Sequence, residues 1–286
     1  HFRFTMLAFM KTLMASLHKM RENEVMTDVI VKLPDGSAMP CHKLLLKAAS
    51  PFFDTMFNSG MKESNEKEVE VKYSDGETMR MVIEYFYSGV IHLNDENVGT
   101  VVAAADFLCL KDLKNQCAEF MVGHLNVSNC IAFKRLGRKF ALDELISGSH
   151  KYFCTEFREV AKSSPDFQTL IEDELVEVVS DDALNAQVED VVFDAVVRWV
   201  NGDLEQRKEA FARIASHVRF LFCSPRWLLS VASREPLMLN PERMEFIAET
   251  HQIQSNSQHF LHNKRTVPRL SYKGKRPHLV RFYHSN

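Results

Sequence analysis

The stretch from Thr27 to Ser64, TDVIVKLPDGSAMPCHKLLLKAASPFFDTMFNSGMKES, constrains the fold more than any other, because its hydrophobic period changes partway along. Val29, Val31, Met39 and Cys41 alternate with other residues around Pro34-Asp35-Gly36, as the two arms of a half-buried hairpin do. Proline pre-sets φ at the turn and glycine takes a positive φ. From His42 to Ala49 the period becomes helical, and Leu44, Leu45, Leu46, Ala48 and Ala49 suit a short buried helix. Ser50-Pro51 then reads as an N-cap followed by proline at the first helical position. The helix it opens should turn Phe52, Phe53, Met56 and Phe57 inward and stop at Gly60, leaving Met61-Lys62-Glu63 on an exposed loop. A chain that folds this way must place a small sheet directly against helices.

These residues carry a resemblance. Thr27-Asp28-Val29, Cys41-His42-Lys43, Ala49-Ser50-Pro51-Phe52-Phe53, Met56-Phe57 and Gly60-Met61-Lys62-Glu63 form a long, ordered signature similar to that of the BTB (POZ) domain. Tyr85-Phe86-Tyr87-Ser88-Gly89 and Ala103-Ala104-Ala105-Asp106-Phe107-Leu108 extend the likeness over residues 5–124. Within that span residues 5–21 read as an amphipathic helix in which Met6, Met10, Leu13, Leu17 and Met20 form a heptad-like seam. Glu68 to Tyr73 alternates as a strand, Met79 to Tyr87 reads as a helix, and Val90 to Leu93 as a short strand. Asn94 should cap a helix running through Leu108, with another from Asp112 to Phe120.

From Val127 onward no strand pattern returns. Helices are expected over 129–140, 143–160, 167–179, 188–200, 203–218 and 224–231. SDDALN (180–185), VFDAVVRWV (192–200), HVRF (217–220) and SPRWL (224–228) resemble the BACK domain of Kelch-like proteins, and NVSNC (126–130) resembles the three-box at its join. The fold expected is therefore α+β: a BTB/POZ domain over 5–124, built as a small mixed sheet wrapped by helices. An all-α three-box and BACK domain follows over 125–254. Residues 255–286 hold seven Lys/Arg and no acid, with Pro268, Gly274 and Pro277, and read as a basic linker or disordered tail. Kelch-like proteins continue into a propeller with paired glycines. This sequence has no Gly-Gly and no repeat near 50 residues, so that substrate-binding module is not expected within it.

The resemblance implies a substrate adaptor of a cullin-3 ubiquitin ligase, a homodimer without an active site, that brings an unidentified target protein to ubiquitination. It places the dimer interface on Met6, Met10, Leu13, Leu17 and Met20. Cullin-3 contacts fall on Met56, Phe57, Met61 and Glu63, because such adaptors carry a hydrophobic residue, any residue, then Glu at this loop. Asp28 and Lys43 are implied as a partly buried structural charged pair near the dimer groove. The other reading is a BTB–BACK scaffold that dimerises and binds cytoskeletal or transcriptional partners without a cullin; a DNA-binding repressor stands third and would need zinc fingers.

Composition narrows the rest. At 286 residues and 45% hydrophobic the chain suits about two domains. No apolar run is long enough for a membrane span, since Asp106 interrupts the best one, and no membrane partner is expected. The first residues lack a signal-peptide cleavage site and do not begin with Met, and read as those of a fragment or trimmed chain. Six cysteines without a Cys-x-x-Cys pair argue for a reducing compartment, the cytoplasm or also the nucleus, and against a zinc finger. Cys41 beside His42 and Lys43, and Cys154 after Lys151, admit a redox-sensor reading; buried inert thiols are favoured. Net charge is −3, but residues 1–254 hold 28 bases against 38 acids, so no nucleic-acid footprint is expected.

No catalytic constellation survives inspection. Cys41, His42 and Asp28 could be forced into a triad, but adjacent residues where a strand enters a helix should face apart. The nine carboxylates from Glu172 to Asp194 have no His or Cys among them and read as a solvated face with helix-capping acids, so no metal or cofactor is expected. An enzyme is not expected.

Overall fold

The computed structural model describes residues 6–58, 67–230, 234–239, 248, 250 and 269–270. Its contacts divide the chain into two compact units, residues 1–124 with 136–145, and residues 125–135 with 146–286.

In the first unit α1 (Met6–Glu22) precedes β1 (Val29–Lys32) and β2 (Ala38–Cys41), then α2 (Lys43–Ala49) and α3 (Pro51–Asn58). After β3 (Glu68–Glu70) come α4 (Gly76–Ser88), α5 (Val98–Phe107) and α6 (Lys111–Gly123). The sheet is mixed, in the order β2-β1-β3, with β1 antiparallel to β2 and parallel to β3. Val29 pairs with Cys41 and Val31 with Met39, so the four apolar residues share one face and all are buried. Gly36 holds the turn at φ 81°. The α+β architecture expected for a BTB/POZ domain is what the chain adopts. Ser50 sets the entry to α3: its hydroxyl donates to the Leu108 carbonyl at 2.8 Å and accepts from the Phe53 N–H at 3.4 Å. Phe53 and Phe57 line the buried side of that helix.

Two local expectations fail here. Leu44 is 81% exposed, because a seven-residue helix buries only one stripe and Leu46 occupies it. Val90–Leu93 is not a strand; its backbone runs between α4, which ends at Gly89 with φ 67°, and an Asn94–Asn97 turn in which both side chains accept backbone N–H groups.

The second unit is helical. Helices α7 (Cys130–Phe140) and α8 (Asp143–Thr155) contribute residues to both units, and α9 (Phe157–Ser163), α10 (Glu172–Val179), α11 (Asp190–Asn201), α12 (Leu204–Arg207), α13 (Ala210–Ala215) and α14 (Pro225–Ser230) follow. Phe153, Phe157, Phe167, Phe193, Trp199 and Phe211 anchor its core. The long helices read from sequence are subdivided. Residues 167–171 are a 3₁₀ turn and an extended link, because the carbonyls a helix would use there are taken by side chains. Arg207 donates to Gln168 O at 2.6 Å, Arg135 to Thr169 O at 2.9 Å and the Trp199 indole to Leu170 O at 2.9 Å. No helix among the described residues is long and apolar enough to cross a membrane.

Candidate interaction surfaces

Helix α1 is held at its C-terminal end and open toward its N-terminal end. Arg21 is buried and donates to Glu84 of α4 at 2.5 Å, and the other Glu84 oxygen lies 2.8 Å from His18 Nε2. The Arg21 guanidinium also sits 4.9 Å from the Tyr87 ring centroid. Toward the helix start, Phe9 (68%), Met10 (44%) and Leu13 (39%) are exposed, while Leu17 and Met20 are half-buried. Met6 opens the helix. The polar clamp from Glu84, which the periodicity of α1 did not signal, therefore fixes a helix whose apolar residues near its start, Phe9, Met10 and Leu13, face solvent.

The residues read as cullin contacts separate. Met56 is half-buried on α3, whereas Phe57 is a core residue, stacked on Phe53 with ring centroids 5.9 Å apart and lying 5.3 Å beneath the Lys43 ammonium. Its ring cannot be offered to a partner, so Phe57 is corrected from a contact to a support for α3. Met61 and Glu63 lie outside the described residues.

Asp28 and Lys43 meet through the backbone. Asp28 is exposed rather than partly buried, and its Oδ1 accepts from the Lys43 N–H at 2.7 Å, the first amide of α2. A carboxylate brought by β1 thus satisfies an amide that a helix start leaves over. His42 turns the other way, with Nδ1 3.1 Å from the Tyr87 hydroxyl and Nε2 3.0 Å from Val25 O. Cys41 lies in the core, and burial pushes its thiol up to about 12. Cys41, His42 and Asp28 consequently do not converge, and Cys41 lacks the depressed pKa of a reactive thiol.

In the second unit a buried ion pair joins residues far apart in sequence. Arg269 donates from Nε to Glu189 Oε2 at 2.9 Å and from Nη2 to Glu189 Oε1 at 2.6 Å, with both side chains fully buried. Arg269 Nη1 also donates to Asp181 O at 2.7 Å, and the Leu270 N–H to Asp182 O at 2.8 Å. Two residues of the stretch read as a loose basic tail are thereby packed against the helical unit, contacts that a free linker does not make. The net charge of the segment hid an arginine, Arg269, that pairs with a buried carboxylate.

The family model described as BTB/POZ domain matches residues 17–125, and the model described as BTB And C-terminal Kelch matches residues 130–233. Kelch-like protein 2 of Rattus norvegicus is 33% identical over 231 residues, 81% of this chain and 39% of the relative. Kelch-like protein 3 of Homo sapiens is 29% identical over 257 residues, 88% of this chain and 43% of the relative. The chain thus spans 39% and 43% of the length of these two relatives. Among solved structures, the BTB domain of human gigaxonin is 33% identical, with a TM-score of 0.36, over 42% of this chain and 95% of that one.

Proposed function

The chain belongs to the BTB–BACK family, in its Kelch-like group, and on that premise we propose that it is a homodimeric substrate adaptor of a cullin-3 ubiquitin ligase. The observation that carries the reading is the succession, almost without a gap, of a BTB match over 17–125 and a BACK match over 130–233. Such an adaptor does no chemistry of its own. It holds a target near a ubiquitin-loaded enzyme, and the gain is effective concentration.

The exposed apolar side of α1 supports dimerisation, since Phe9, Met10 and Leu13 carry a hydrophobic surface that a second copy would cover. Cullin-3 would meet α3 at Met56 and the following loop at Met61 and Glu63, an apolar anchor beside a hydrogen-bond-accepting carboxylate. Target recognition would lie outside both surfaces, and the adaptor would work in the cytoplasm and nucleus. Co-purification of cullin-3 with the chain, read together with sedimentation of the chain alone, tests the proposal. A dimer that retains cullin-3 supports it; a dimer that does not favours the scaffold reading.

A further inference from the structure

Helix α8 carries His150 and Cys154 one turn apart, the i, i+4 spacing that puts two side chains on one helix face. The link after α10 brings Asp181 to that face. His150 Nε2 lies 2.6 Å from Asp181 Oδ2 and 3.5 Å from Cys154 Sγ, and Cys154 Sγ lies 3.9 Å from the same Asp181 oxygen. Nitrogen, sulfur and oxygen donors thus converge from three residue types.

We propose that His150 Nε2, Cys154 Sγ and Asp181 Oδ2 bind one divalent ion of the zinc class, with water completing a tetrahedral shell. Zinc holds nitrogen and oxygen at about 2.0–2.2 Å and sulfur at about 2.3 Å, which sets donors roughly 3.4–3.6 Å apart in a tetrahedron. The nitrogen–sulfur separation already matches, and the sulfur–oxygen one needs a small closure. Only the nitrogen–oxygen pair must open, and there the ion replaces the hydrogen bond between His150 and Asp181.

The outer groups suit this exchange. The Lys134 ammonium has only donors, so at 2.7 Å from His150 Nδ1 it makes that nitrogen the acceptor and leaves the proton on Nε2. Lys134 also donates to Glu177 Oε2 at 2.8 Å, and Glu177 Oε1 lies 3.9 Å from His150 Nδ1. When Nε2 turns to the ion its proton passes to Nδ1; the Lys134 ammonium has to withdraw from that nitrogen, giving up its hydrogen bond there, and Nδ1 then donates to Glu177 Oε1. That creates the carboxylate–histidine–metal relay common around zinc. Lys134 keeps Glu177 Oε2. Charge balances as well: thiolate and carboxylate neutralise the ion, and the nearby cations are matched with other acids, Lys134 with Glu177, Arg219 with Asp182 and Arg269 with Glu189. Burial pushes the Cys154 thiol up to about 12, so without an ion it is protonated, and binding releases that proton to solvent. His150 and Asp181 are each partly exposed and give the ion its path.

Titrating the full chain with Co²⁺ tests the site. The expected result is one ion per chain, a tetrahedral visible spectrum and a thiolate-to-cobalt charge-transfer band, all reversed by Zn²⁺. Cys154→Ser should abolish that band and weaken binding at least about 10-fold, and Cys109→Ser, at the exposed cysteine, should keep it. Glu177→Gln should keep the band with binding about 10–100-fold weaker. If Cys154→Ser does not fold, X-ray absorption on the zinc-loaded Cys109→Ser chain decides. One sulfur with nitrogen and oxygen neighbours supports the site, and none or two overturns it. A missing band in the wild-type chain, or one that survives Cys154→Ser, also overturns it.

Discussion

The carboxylate of Asp28 lies 2.7 Å from the backbone N–H of Lys43, so an acid entering β1 closes the first turn of α2. The bond is made to the main chain of Lys43, which sets what each substitution should do. Asp28→Ala should cost about 0.5–2 kcal/mol, the usual value of a lost N-cap, and Asp28→Asn should recover most of it because the acceptor is kept. A buried charge pair would behave differently, losing about 3–5 kcal/mol whichever partner is removed and gaining nothing from asparagine. Urea unfolding of the two variants separates the cases.

Asp75 caps α4 in the ordinary local way, accepting from the Thr78 N–H at 2.7 Å. That hydrogen bond, reinforced by the Thr78 hydroxyl, holds its carboxyl below its usual value against a smaller opposing effect of burial. A carboxylate whose folded pKa is depressed contributes stability above its unfolded pKa and loses it as pH falls through the folded one. Asp75→Asn keeps a cap but cannot titrate, so the stability gap between the two proteins should narrow or reverse between about pH 5 and pH 2. Denaturant midpoints at each pH measure it, and a constant gap would remove Asp75 from the acid response.

Helix α1 should carry the dimer. Leu13→Asp with Leu17→Asp puts two charges on its apolar side while leaving the Arg21–Glu84 clamp in place. Sedimentation at micromolar concentration should then give monomer or aggregate, where the unaltered chain gives a dimer. A monomer before mutation would end the argument.

Cullin binding should depend on Met61 and Glu63 without depending on stability. Met61→Ala should weaken cullin-3 binding by at least about 1–2 kcal/mol, as truncation of an anchor does. Glu63→Ala should weaken it too, by removing a charge-assisted acceptor. If both side chains lie on the surface, as the sequence suggests, melting temperatures should barely move, since changes at exposed positions stay within about 0.5 kcal/mol. Phe57→Ala should do the opposite, lowering stability by about 3–5 kcal/mol through the core before any effect on binding. Calorimetric titration alongside thermal melts distinguishes the two patterns, and tight binding that survives both loop changes would exclude the loop.

Arg269 should matter as much as a core residue. Its removal leaves Glu189 buried without its ion-pair partner, so Arg269→Ala should destabilise the helical unit by about 3–5 kcal/mol. Urea unfolding of Arg269→Ala beside the unaltered chain measures it.

Much of the fold was legible because it rests on local signals. The alternation through Val29, Val31, Met39 and Cys41, the turn at Gly36 and the Ser50-Pro51 cap each state their structure within a few residues. What sequence could not give were partners that arrive from elsewhere. Asp28 reads as half of a charge pair until β1 and α2 are set side by side. Phe57 reads like Met56, and only packing against Phe53 separates a core ring from a contact. The acids around Asp181 read as solvated while His150 and Cys154, some thirty residues earlier, have no visible relation to them. The helix over 167–179 fails for the same reason, its carbonyls being claimed by Arg135, Trp199 and Arg207.

The pairing of Glu189 with Arg269, 80 residues apart, also sets an order of events during synthesis. At about 5–20 residues per second, Glu189 leaves the ribosome roughly 4–16 s before the arginine that will neutralise it. By the later part of that interval α11 and the helices up to residue 230 have emerged, but the acid just before α11 still lacks its arginine. Until residue 269 emerges the Glu189 carboxylate lacks the two hydrogen bonds that Arg269 supplies, and water has to stand in for them. A chaperone that binds incomplete helical bundles would find an opening on this chain in that window, and a slow codon between the two residues would lengthen it.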